Sequence, residues 1–146
     1  MIYKHYEIKK INFLINKQIL LYGKNNGLKK EILESLVVNS NSISKYDENS
    51  ILENIDKFKE KILNKSFFEK EEIIIINRAT DKIYNVIADI SSKNIDDTII
   101  IINADNLEKK SKLRSFFEKH KKLVSIAFYP DNDQTLSKLA SNFLIE

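Results

Sequence analysis

The chain has 146 residues, with 24 Lys and Arg against 21 Asp and Glu, a net charge of +3, and no cysteine. One domain of this length can bury an ordinary core unaided, and the missing cysteine excludes a disulfide framework, thiolate zinc sites and a cysteine nucleophile. The charge falls short of the basic bias of a dedicated nucleic-acid binder, no apolar run is long enough for a membrane span, and the stretch Met1–Glu7 lacks the apolar core of a secretory leader, so a cytoplasmic protein without membrane contact is expected.

Before Gln18, Ile11, Phe13 and Ile15 alternate as in a strand but fit a short helix equally well. Gln18–Tyr22 reads as the first clear strand, closed by Gly23. A helix is expected from about Leu28, with Ile32, Leu33, Leu36 and Val37 on one face. A short strand covers Ile43 to Tyr46. One helix follows, with Ile51, Leu52, Ile55, Phe58, Ile62 and Leu63 at helical spacing and Ser50-x-x-Glu53 as its capping box. Ile73 to Ile76 are apolar at every position, which predicts a strand buried on both faces. Thr80 is placed to cap a helix carrying Ile83, Tyr84, Ile87 and Ile90. Thr98 to Asn103 repeats the isoleucine pattern, and a helix with Leu113, Phe116 and Phe117 follows. Val124 to Tyr129 forms the last strand, ahead of a helix with Leu136, Leu139, Ala140, Phe143 and Leu144. The alternation predicts a single α/β domain over residues 1–146: a five-stranded parallel sheet flanked by helices in three layers.

Strand, glycine, short loop and helix is also the layout of a phosphate-binding loop, which needs Gly-x-x-x-x-Gly-Lys-Ser/Thr. Here the stretch is Gly23-Lys24-Asn25-Asn26-Gly27-Leu28-Lys29-Lys30. Gly23 aligns and Lys29 takes the lysine position, but Leu28 replaces the second glycine and Lys30 the magnesium-binding hydroxyl. Gly27 comes one residue early. The isoleucine strand that should end in a carboxylate pair ends in Asn77-Arg78. With these parts missing, phosphoryl transfer lacks its machinery, no catalytic residue is assigned, and neither nucleotide nor another cofactor is expected. Gly23 and Gly27 are then read as residues of a tight strand-to-helix turn.

Three stretches, in order and at fitting spacing, resemble the delta subunit of the bacterial DNA polymerase III clamp loader: Leu20-Leu21-Tyr22-Gly23-x-x-x-Gly27-Leu28-x-x-Glu31, Asn103-Ala104-Asp105-x-Leu107-x-Lys109-x-Ser111-x-Leu113-Arg114-x-Phe116-Phe117, and Ala127-Phe128-Tyr129-Pro130-Asp131 with Thr135-Leu136. The order of elements agrees over essentially the whole chain. The resemblance implies an AAA+-like, P-loop-NTPase-like fold with a degenerate nucleotide site, and a non-catalytic role in DNA replication within the polymerase holoenzyme. Such subunits continue into a lid and a collar domain, which this chain lacks, and reach the other clamp-loader subunits through them. The resemblance also implies that two adjacent bulky apolar residues grip the sliding clamp. The matching positions are Phe67 and Phe68, preceded by Ser66, although the family often has Leu-Phe there. The pair stands in a polar stretch of Lys65, Ser66, Glu69, Lys70, Glu71 and Glu72, as an exposed aromatic hot spot should.

Ser-Phe-Phe-Glu-Lys occurs at 66–70 and again at 115–119. The second copy continues the spacing from Leu113 and is expected in the core. His5 and His120 stand far apart, no set of metal ligands surrounds either, and no metal is expected. Asp96-Asp97 are read as solvated loop acids. The lysines from Lys109 to Lys122 could make at most weak contact with DNA. An active ATPase and a weak DNA-binding domain are the competing readings.

Overall fold

The computed structural model describes residues 1–38, 40, 42–63, 72–93 and 98–129. In chain order these form β1 (Ile2–Tyr3), a 3-10 turn at His5–Lys10, β2 (Gln18–Tyr22), α1 (Asn26–Val37), β3 (Ile43–Asp47), α2 (Glu48–Glu53), α3 (Ile55–Leu63), β4 (Glu72–Ala79), α4 (Tyr84–Ser91), β5 (Thr98–Ala104), α5 (Lys112–Lys119) and β6 (Val124–Ala127). The strands make one parallel sheet in the order β1-β6-β2-β5-β4-β3. The expected sheet is present, with six strands rather than five. The extra strand, β1, has two residues paired to Ser125 and Ile126 at the edge, too short to leave a period in the sequence. Phe13 to Ile15 form a turn rather than a strand.

The isoleucine runs are buried on both faces because helices cover both. Leu20, Tyr22, Ile74, Ile76, Ile100 and Ile102 face one way, against buried residues of α2, α3, α4 and α5. Ile19, Leu21, Ile73, Ile75, Ile99 and Ile101 face the other way, where Ile32, Leu33, Leu36 and Val37 of α1 cover them. Each fully buried isoleucine contributes on the order of 1.5–3 kcal/mol of transfer free energy, so the central strands dominate the stability.

Two expectations about helices need correction. The helix after β3 is broken in two: Asn54 leaves helical geometry, and its side-chain oxygen accepts from Lys57 N at 3.2 Å to start α3. Ser50 and Glu53 therefore do not form a capping box; α2 begins at Glu48, after Asp47, with Ser50 inside it. Thr80 does cap, accepting from Lys82 N at 3.2 Å ahead of α4. The helix expected around Leu136–Leu144, and Asp96 and Asp97, lie outside the described residues.

Candidate functional site

The carboxyl ends of β2, β4 and β5 meet at a cleft of about 430 Å³, lined by residues that include Lys29, Lys30, Asp47, Asn77, Arg78 and Asp105. This is where open parallel sheets hold ligands. The loop from β2 into α1 forms one wall.

Gly23 opens that loop with φ of +124°, and a Cβ built there would sit 1.9 Å from the Phe128 carbonyl oxygen. Only glycine fits. Gly27 is different. It lies inside the first turn of α1, and a Cβ there would meet only the Asn25 side chain at 3.9 Å. The turn requires one of the two glycines.

Five of the backbone donors between Gly23 and Lys29 bond within the protein. Gly23 N donates to Asp105 O at 2.8 Å, Asn25 N to Phe128 O at 3.1 Å, Asn26 N to Lys24 O at 2.9 Å and Lys29 N to Asn25 O at 3.1 Å. Leu28 N donates to Asn25 Oδ1 at 3.2 Å, so Asn25 caps α1 where a phosphate oxygen would otherwise sit. Lys29 is buried, and its Nζ donates to Ala104 O at 2.7 Å, at the end of β5. Burial lowers the Lys29 pKa, and the Asp105 carboxylate opposes that shift. A phosphate-neutralising lysine points into the loop; this one is anchored across it.

At the end of β4, Asn77 Oδ1 accepts from Asn103 Nδ2 at 3.1 Å, and Arg78 turns into left-handed geometry with φ of 57° beside a bulge. The cleft does contain carboxylates, Asp47 at the end of β3 and Asp105 after β5, but β4 supplies none to it. Among the described residues no three acids, histidines or cysteines converge as a metal site.

The Asn103–Phe117 stretch builds the wall around α5. Ser111 Oγ caps the helix by accepting from Arg114 N at 3.2 Å. Asp81, just after Thr80, accepts from Lys112 N at 3.1 Å, from Leu113 N at 3.3 Å and from the Ser111 hydroxyl. Burial works against Asp81 ionisation, but these hydrogen bonds outweigh it and hold the carboxyl below its usual range. Arg114 lies over the Tyr22 ring, 5.0 Å from its centre, and pairs with Glu118 at 2.6 Å. Leu113 and Phe117 are fully buried and Phe116 half-buried, as expected for the second Phe-Phe copy. Glu48, buried at the start of α2, accepts from Thr80 N at 2.8 Å and from its hydroxyl at 2.9 Å. Asp81 and Glu48 have no motif around them, and their partners, about 30 residues away, are set by the fold.

Ser66, Phe67 and Phe68 lie outside the described residues. The described residues that flank them in sequence are Leu63, the last of α3, and Glu72, the first of β4. No helix among the described residues is long and apolar enough to cross a membrane.

No protein-family model matches the chain, and no curated protein sequence does. Among solved structures the chain is similar to the Bacillus subtilis DNA clamp loader delta protein, with a TM-score of 0.62 and 17% sequence identity over 94% of this chain. The likeness establishes a shared fold. The chain spans 44% of the length of that protein.

Proposed function

We propose that this chain is the clamp-gripping domain of a DNA clamp-loader delta subunit, a non-catalytic module that binds the sliding clamp through Phe67 and Phe68. Other subunits hydrolyse ATP and are reached through lid and collar domains. The observation that carries this reading is a filled phosphate cradle within a fold shared with a clamp-loader delta protein. To seat a phosphate, Leu28 N would have to leave Asn25 and Lys29 would have to leave Ala104, and no carboxylate from β4 stands ready for magnesium. Breaking the Lys29 bond would leave the buried Ala104 carbonyl without its donor, at a cost on the order of 1–3 kcal/mol. Asp47 and Asp105 are the acids on which an active ATPase would have to draw.

Clamp binding then rests on the aromatic pair. Burying two phenylalanine rings contributes on the order of 3–6 kcal/mol gross, reduced by the ordering of the segment. The polar residues around them, Lys65, Ser66, Glu69 and Lys70, form a rim suited to an interface. Titration calorimetry with Mg-ATP is expected to give no saturable heat, while purified sliding clamp is retained by the immobilised chain. A saturable micromolar ATP signal would favour the ATPase reading instead.

A further inference from the structure

A groove runs along α5, away from the phosphate-loop cleft. It joins two adjoining clefts, of about 440 and 840 Å³, that share Lys119 and His120. The smaller presents Tyr84, Phe116 and His120, packed edge to face with ring centres 5.6 Å apart in each contact, between Lys112 and Lys119. The larger continues past Lys121 and Lys122 to the amino ends of β2 and β5. No carboxylate lines either cleft among the described residues. Gln18, largely buried, is among the residues lining the larger cleft. Leu14 and Ile15, 82% and 53% exposed, form the rim.

We infer that this groove binds single-stranded nucleic acid. Rings interleaved with exposed lysines are what a sequence-tolerant single-strand site requires: bases stack on the rings while ammonium groups follow the phosphates. Burial, with the Met1 amine and Lys122 adding to it, holds His120 below its ordinary pKa, so it presents a neutral ring at neutral pH. The inference is independent of clamp binding. It divides the lysines of Lys109–Lys122: Lys109 and Lys110 precede α5 and line neither cleft, whereas Lys112, Lys119, Lys121 and Lys122 do.

The test is fluorescence anisotropy with a labelled oligothymidylate of about 20 nucleotides. With three phosphates neutralised, the logarithm of affinity should fall with that of salt at a slope of about −2. The combined Lys119→Ala, Lys121→Ala and Lys122→Ala variant should lose at least about tenfold in affinity and most of the slope. Tyr84→Leu, which keeps the apolar contact, should lose at least about fivefold with its melting temperature held. Lys109→Ala with Lys110→Ala should change affinity less than about twofold. Parental affinity in the triple lysine variant would overturn the inference. So would a poly-glutamate peptide that binds the parent as tightly as the oligonucleotide and loses as much in that variant, since the groove would then be an acidic-polypeptide site.

Discussion

Gly23 and Gly27 place opposite demands on the backbone. Gly23→Ala forces a Cβ into the Phe128 carbonyl at positive φ and should cost at least about 2 kcal/mol. Gly27→Ala sits in open helical space and should stabilise by roughly 0.5–1 kcal/mol. Thermal melts of the two variants check both signs. Asp81 supplies a pH signature. Its folded pKa lies below the ordinary aspartate value, so its contribution is fully present above that ordinary value and is lost as pH falls through the folded pKa. Asp81→Asn should lower stability at neutral pH by about 1 kcal/mol, as loss of a helix cap does, and should flatten the acid limb of the stability curve. An unchanged acid limb would show that Asp81 does not carry it. The sequence reveals that Lys29 stands at the lysine position. It does not reveal that Lys29 reaches Ala104 or that Asp81 reaches α5, because those partners are distant in the chain and meet only through the sheet order.

At the scale of elements, runs such as Ile73–Ile76 and Ile99–Ile102 predict their own environment, since a strand apolar at every position must be covered on both faces. Helix boundaries were less legible. Asn54 interrupts a continuous apolar period because its side chain offers the next turn a cap, and periodicity does not register caps. Glu48 ties α2 to the end of β4 by accepting both Thr80 donors. Glu48→Ala removes that charged acceptor from the partly buried Thr80 donors, so it should cost roughly 1–3 kcal/mol. Urea unfolding should show a lower midpoint with an unchanged slope. A midpoint within error of the parent would mean that water satisfies Thr80 equally well.

At the scale of the molecule, a parallel sheet has two chemically different ends, and this chain uses them differently. The carboxyl end holds the closed cradle of Gly23–Lys29 and Ala104. At the amino end, β4 begins at Glu72 and β5 at Thr98. The architecture was legible because hydrophobic period and strand–helix alternation encode it directly. Pattern alone does not single out Phe67 and Phe68 as the proposed gripping pair, since the same five residues at 115–119 place Phe117 in the core; only the resemblance separates the copies. The most direct measurement is therefore the affinity of purified sliding clamp for the chain and for its Phe67→Ala, Phe68→Ala variant, with melting temperatures alongside. The account predicts at least about tenfold weaker binding, or about 1.4 kcal/mol, with little change in melting temperature. Undiminished clamp affinity, or a variant that unfolds as a core double truncation does, would contradict it.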